Sequence, residues 1–407
     1  MLKEKSSAGK KIRVLVVSTT FPRWEGDSGP APFVFDLAKN LIRSFEVIVL
    51  APHYPGASVH EAWNGMEIFR FRYLPENWEF LGDGQGLQNH FRKSLKAKIA
   101  LVAFFIGEFI AGVRLLSRRR VDAVNSHWLV PSGLIFAILS RIWGLRHIST
   151  VHSADYFLLS RIPLGKFLIR MIVNWSEAII SVNSRMAEEI KRLSKDARVL
   201  VMPMGFEPDK FQKIDNDEVK KLKRELGRED ERFILFVGKL SEKKGIHHLI
   251  SAMKLLEKEF PWLKLLIIGE GGLRTKLEEQ AENLGLAGRI KFLGAIPHQR
   301  IALYYHLAEL VVVPSIPDKY GETEGMPVVV LEALASNKPV VGTIFCSAPE
   351  ELKRSGGFIE LGEVNPQAIA RAIIKVINQR GEMDFSRVNQ YSWEQVSGFY
   401  AEVISGG

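Results

Sequence analysis

Residues 311–342, VVVPSIPDKYGETEGMPVVVLEALASNKPVVG, leave few ways to fold. An apolar run closes at Pro314, a polar loop carrying Gly321 and Gly325 follows, a helix starts near Pro327, and a second apolar run fills 339–342. That order is strand, loop, helix, strand. Proline suits a first helical turn, because its missing N–H would have no intrahelical partner there and its φ is already helical. The backbone N–H groups of Met326, Val328 and Val329 then point out of the helix start, where they and the helix dipole attract phosphate oxygens. Glu324 stands just before this helix. Glu332 falls in its second turn among Val, Leu and Ala, where a carboxylate needs a partner such as a hydroxyl. Taken alone, the unit favours the plainer reading, with Glu324 as a helix cap and Glu332 as a solvated helix residue.

The same alternation runs through the chain. Apolar runs at 13–18, 46–51, 67–71, 123–125, 147–151, 178–182, 198–202, 233–237, 263–268 and 290–293 read as strands, most of them separated by helical stretches. Such a pattern argues for doubly wound parallel sheets. A chain of 407 residues exceeds one ordinary core and fits two domains. Residues 63–89, with Trp78 and several glycines, read as irregular, 210–230 as a charged surface helix, and 393–404 as a final helix of alternating polarity.

Charge is split between the halves. Residues 1–200 hold 28 Lys and Arg against 17 Asp and Glu, and the rest hold 27 against 29, so the net charge of +9 belongs to the first half. An anionic partner for that half follows. No nucleic-acid module and no basic stretch interleaved with stacking aromatics is seen, so a membrane surface leads. Residues 91–120 read as a helix with an apolar centre, basic ends and Phe104, Phe105 or Phe109 exposed, suited to a bilayer interface; a core helix with solvated ends fits the same residues. The longest uncharged apolar runs, 99–107 and 129–140, fall short of the roughly 18–20 residues of a membrane span. With no signal peptide expected and Cys346 as its one cysteine, the chain reads as cytoplasmic, in a reducing compartment, without a disulfide or Cys-based metal site.

Glu324, Gly325, Pro327, Glu332, Ala333 and Ala335 match E-G-x-P-x-x-x-x-E-A-x-A, and through this pattern the chain resembles the family 4 retaining glycosyltransferases. The resemblance implies a GT-B fold: an acceptor-binding Rossmann-like domain over 12–203 joined by a C-terminal helix at 391–407, a donor-binding domain over 212–390, and a central cleft. It implies Glu324 on the donor sugar hydroxyls and Glu332 on the ribose of a nucleotide, a job suited to a carboxylate that accepts two hydroxyl donors. Gly238, Lys239 and Lys244 resemble the family's G-R-L-x-x-x-K-G, whose two cations contact the donor diphosphate. Lys239 stands where the family has arginine, which keeps the charge and loses the bidentate fork. Thr150, His152 and Asp155 match T-x-H-x-x-D, and His127 matches a second histidine loop. The resemblance implies His152 facing the donor sugar, with His127 and Asp155 toward the acceptor. Both histidines follow strands, at the carboxyl edge where open parallel sheets bind ligands.

Other implied donor contacts are Gly29, in the turn after the first strand, Gly271, and the backbone of 292–297 beginning at Phe292. Together with Gly325, Met326, Pro327 and Val328 they complete the expected donor site. The linker at 202–211 carries Met204 where the family has asparagine. Thr343, Pro349 and Glu350 fit G-T-x-x-G-G-x-P-E, but Cys346 and Ser347 replace its two glycines. The resulting expectation is a hexosyltransferase-type enzyme using a nucleoside-diphosphate sugar, with no metal and no other cofactor, acting on a glycan or lipid-linked glycan. A nucleotide-sugar epimerase on the same fold and a non-catalytic scaffold stay open. A dinucleotide dehydrogenase is disfavoured, since no G-x-G-x-x-G follows the first strand.

Overall fold

A computed structural model describes residues 11–27, 32–81, 95–318, 323–378 and 383–407. Gly29 and Gly321 therefore lie outside the described residues, as do Arg92 and Lys93. The chain divides into two compact units, one made of residues up to Val182 with Met186–Met202 and Val396–Gly407, the other of Asn183–Arg185 and Pro203–Gln395.

The first unit holds an eight-stranded sheet. Its strands are β1 (Arg13–Val17), β2 (Glu46–Pro52), β3 (His60–Trp63), β4 (Met66–Phe71), β5 (Ala123–His127), β6 (Arg146–Val151), β7 (Ala178–Ser181) and β8 (Val199–Val201), in the order β3-β4-β2-β1-β5-β6-β7-β8. All pairs are parallel except β3 with β4. Val14–Val17 of β1 are wholly buried, as a strand covered on both faces must be. The helix Pro32–Leu41 buries Val34, Leu37, Ala38 and Leu41, a helical spacing that turns one face to the sheet.

The helix Leu95–Arg118 is 24 residues long, enough to cross a membrane by length and composition, which the apolar-run reading did not expect. Glu108 had interrupted the run; in the structure it is fully buried, and burial pushes its pKa up to about 8 against the opposing effect of the Ser132 hydroxyl. Only a third of the apolar window is buried. Phe104 belongs to that third, packed with Leu15, Val17, Leu50 and Phe136 in the core, so it is not an exposed residue. A buried side chain of this size contributes roughly 1.5–3 kcal/mol.

The second unit holds a six-stranded parallel sheet of β9 (Arg232–Val237), β10 (Leu263–Ile268), β11 (Ile290–Gly294), β12 (Ala308–Val313), β13 (Val340–Thr343) and β14 (Phe358–Leu361), ordered β11-β10-β9-β12-β13-β14. Order reverses at β9, between β10 and β12, which places the switch point of the sheet at the loops after β9 and β12. The expected helix at 210–230 is two pieces, Asp209–Gln212 and Asn216–Leu226, the second capped by the Asp215 carboxylate accepting from the Asp217 N–H at 2.8 Å.

Candidate active site

In the second unit, glycines let the loops at the carboxyl edge approach one another. A Cβ on Gly269 would lie 1.9 Å from the Gly238 carbonyl oxygen, one on Gly271 2.3 Å from that of Leu240, and one on Gly245 2.0 Å from that of Pro314. Gly238, Gly245 and Gly269 also sit at φ +155°, +61° and +133°, which side-chain-bearing residues rarely adopt. The loops are tied by the Ile316 N–H donating to the Lys243 carbonyl at 2.9 Å and the Gly269 N–H donating to that of Gly294 at 2.8 Å.

This packing brings Lys244 to Glu324. The Lys244 ammonium lies 3.2 Å from Glu324 Oε2, and Lys243 lies 3.8 Å from Oε1. Oε1 is buried and accepts no hydrogen bond among the described residues. The Lys244 stem runs beside Gly238, its Cε 3.6 Å from where a Cβ would be. Lys239 is exposed, its carbonyl accepting from the Ser241 N–H at 2.9 Å and its ammonium making no hydrogen bond or ion pair with the described residues. Lys243 escaped sequence reasoning, although the doublet Lys243-Lys244 was there to flag it.

The helix after Glu324 runs Val328–Ala335, with Pro327 as its cap at φ −66°, ψ 127°. Proline is therefore outside the helix rather than in its first turn, a one-residue shift that leaves its φ unchanged and lets its carbonyl accept from the Val330 N–H at 3.0 Å. The Val328 and Val329 N–H groups keep no acceptor among the described residues, so the helix start still presents donors to an anion. Gly325 and Met326 lead into it, partly exposed.

Glu332 lies inside the helix, 6% exposed, and has found its hydroxyl within the protein. Oε2 accepts from the Tyr305 hydroxyl at 2.7 Å and Oε1 faces His298 Nε2 at 3.0 Å. The carboxylate raises the pKa of His298, while burial and the same carboxylate raise that of Tyr305. Neither partner was foreseen, since they sit 34 and 27 residues away in sequence. Phe292 lies in β11, half-buried against the core. Cys346 is buried and inert, its thiol raised to about 11 by burial, and Ser347 takes the left-handed φ of +49° that a glycine adopts without strain.

In the first unit, His127 is the last residue of β5 rather than a loop residue, and His152 directly follows β6. Their rings stack at 5.3 Å and share one hydrogen bond, Nδ1 of His127 to Nε2 of His152 at 3.1 Å. Burial lowers both pKa values, and each ring's charge would disfavour the other's, so the pair is neutral at pH 7. Trp128 and Phe33 wall in His152 at 4.7 and 5.2 Å between ring centres. Trp128 holds φ +67°, a strained geometry for a bulky residue. Asp155 accepts from the Leu129 N–H at 2.6 Å, and burial outweighs that bond to lift its pKa to about 7. The Thr150 hydroxyl, buried in β6, meets the Tyr400 hydroxyl at 3.3 Å, which fastens the C-terminal helix to this sheet. Among the described residues, no group of three or more His, Cys, Asp or Glu converges as a metal site would.

Two parallel-sheet α/β units, the second with a glycine-bared carboxyl edge that carries a paired lysine and glutamate beside a helix start, have the architecture of a GT-B glycosyltransferase. The Glycosyl transferases group 1 family matches residues 218–391 and Glycosyltransferase Family 4 matches residues 28–210, and the chain belongs to this family. It is 26% identical to the uncharacterized glycosyltransferase MJ1607 of Methanocaldococcus jannaschii over 89% of this chain and 90% of that protein. It is 24% identical to the GDP-mannose-dependent alpha-(1-6)-phosphatidylinositol monomannoside mannosyltransferase of Mycolicibacterium smegmatis, over 83% and 82%. Among solved structures, HepE of Anabaena in complex with UDP shares the fold at a TM-score of 0.70, 18% identity, and coverage of 97% of this chain and 100% of that one.

Proposed function

We propose that the chain is a retaining, metal-independent glycosyltransferase that moves a hexose from a nucleoside-diphosphate sugar to a hydroxyl of a glycan or lipid-linked glycan. The observation that carries the proposal is the buried Glu324 Oε1, which has no hydrogen-bond donor among the described residues. Lys243 lies 3.8 Å from it, and Lys244 holds the other oxygen of the same carboxylate. A carboxylate oriented in this way accepts from a sugar hydroxyl, while the ammonium faces the diphosphate. The UDP bound by HepE and the GDP-mannose named for the mycobacterial relative support a nucleoside diphosphate as leaving group.

In the reaction, the bond from the anomeric carbon to the diphosphate oxygen breaks first. Lys244, Lys239 and the Val328 and Val329 N–H groups stabilise the charge that develops on that oxygen. The acceptor oxygen then bonds to the anomeric carbon from the same face, and its proton passes to the departing phosphate oxygen. The neutral His127–His152 pair presents uncharged hydrogen-bonding groups to sugar hydroxyls, and Asp155, half-protonated near pH 7, lies beside it. The acceptor is read as lipid-borne from the basic first unit and the phosphatidylinositol mannoside of the relative's name, with the protein peripheral on an anionic membrane.

The test incubates the chain with UDP- and GDP-sugars in EDTA and follows the released sugar by NMR, with water as the acceptor. Release of a nucleoside diphosphate and a sugar of retained anomeric configuration is expected. An inverted product, or turnover that returns only with a divalent metal, would reject the mechanism.

A further inference from the structure

The helix Leu95–Arg118 shows solvent a stripe that the core does not use. Ile99, Val102, Ile106 and Ile110 are 54%, 62%, 55% and 41% exposed, at spacings of three and four residues that align them along one side. The line continues into Arg114 and Arg118, both exposed, whose guanidinium groups make no hydrogen bond or ion pair with the described residues. Those two arginines, with Arg70, Arg72 and Arg119, line a groove of about 500 Å³ between the helix and β4 that has no carboxylate among its described lining residues. Arg70, Arg72 and Arg119 are paired with Glu61, Glu76 and Glu67, which leaves Arg114 and Arg118 as its free cations among the described residues. Lys96 and Lys98 are exposed at the other end of the stripe. An apolar strip of about 16 Å with cations at both ends is therefore built into the surface of the first unit.

We propose that this stripe and groove are a docking site for an anionic lipid bilayer, the isoleucines and valine entering the acyl region and Arg114 and Arg118 taking lipid phosphates. The charge pattern argues against a second copy of this chain, because a two-fold contact would set cations against cations in either direction. A second outcrop in the same unit points the same way. Leu164, 77% exposed at φ +63°, and Phe167, 63% exposed, open the helix Gly165–Trp175 beside Lys166. That helix packs on Leu134–Trp143, which packs on Leu95–Arg118. By topology Leu95 starts the helix that leads from β4 back to β5, so the stripe begins at the sheet edge that carries His152, while the second outcrop comes after the helix Ala154–Arg161 that follows β6. The proposal deepens the lipid-borne acceptor reading, and its test does not pass through sugar transfer.

The full chain is sedimented with vesicles of phosphatidylcholine alone or with phosphatidylglycerol, as wild type, as Arg114→Glu/Arg118→Glu and as Ile106→Ser/Ile110→Ser. Circular dichroism checks the fold of each, and UDP- and GDP-induced thermal shifts report the donor site separately. Binding to the anionic vesicles is expected, at least tenfold tighter than to phosphatidylcholine, with a tenfold or greater loss in each variant and unchanged nucleotide shifts. Three results would overturn it: no vesicle binding, binding indifferent to both variants, or wild-type dimers that either variant dissociates in the ultracentrifuge. A missing nucleotide shift with intact vesicle binding would instead strike the enzymatic reading.

Discussion

The carboxyl edges of the two sheets are built from the same fold element and could hardly differ more in electrostatics. At the first, burial keeps His127 and His152 neutral and lifts Asp155 to about 7, inside a wall of Trp128 and Phe33. At the second, Lys239, Lys243 and Lys244 stand at a loop bared by glycines, with a single carboxylate between two of them. An aromatic edge with neutral histidines and a half-protonated acid suits the neutral polyol of a sugar. A cationic, backbone-lined edge suits a diphosphate. The topology supplies two such places, and burial decides which chemistry each receives.

The contrast can be broken most forcefully at Lys244. Lys244→Ala removes the cation nearest the expected leaving group, and turnover at saturating donor should fall about 10²–10³-fold, as for loss of one preorganised electrostatic contact. An equal fall from Lys239→Ala would move the weight to the exposed lysine; a rate unchanged by Lys244→Ala would remove the cationic edge from the mechanism.

Glu332 sharpens the comparison, because its two oxygens already serve Tyr305 and His298. Glu332→Ala should weaken donor binding at least tenfold in a calorimetric titration and strand the Tyr305 hydroxyl, costing about 1–3 kcal/mol of stability. Tyr305→Phe should lower stability and leave donor affinity near wild type. Equal affinity losses in both variants would make Glu332 a packing residue.

A third test concerns the neutral interior of the first unit. Glu108 has a folded pKa of about 8, above its unfolded value, so its native state prefers the proton. Stability from this group is complete below about pH 4.5 and is lost as pH rises toward 8, by up to about 3 kcal/mol at pH 7. The depressed histidines tilt the profile the other way, losing stability as pH falls below about 6.5. Comparing Glu108→Gln with wild type isolates the first slope: the variant should gain relative stability between pH 5 and pH 8 in chemical denaturation. A constant difference across that range would mean that Glu108 stays ionised.

The smallest effect is expected at Ser347, whose φ of +49° a glycine would take freely. Ser347→Gly relieves strain of about 1–2 kcal/mol and adds unfolded-chain entropy worth about 0.4–1 kcal/mol, for a net gain of a few tenths to about 1 kcal/mol. A loss would show that the serine side chain is used.

Much of this was legible in residue order, and the exceptions share a cause. Ten or more apolar runs announced two parallel sheets because buried parallel strands are apolar on both faces. The strands that escaped, β3 and β14, lie at the edges of their sheets; HEAW and FIEL are four residues long and broken by one or two polar residues, too short a run to read. At the site, Lys244 beside Glu324 could be expected from pattern. The use of Glu332 by Tyr305 and His298 could not, because a helix Cβ direction fixes only near neighbours in sequence. Phe104 misled for the same reason: helical periodicity reports which residues share a face, and only the placement of β1 and β2 decides that this face is inside.

The central claim is that the second unit's cationic edge holds a sugar nucleotide's diphosphate. Titrating UDP and GDP into the full chain by calorimetry, in EDTA, asks this directly. Saturable one-to-one binding of at least one of them is expected, weakened tenfold or more by Lys244→Ala; no binding of either, or binding indifferent to Lys244, would contradict a diphosphate site at this edge.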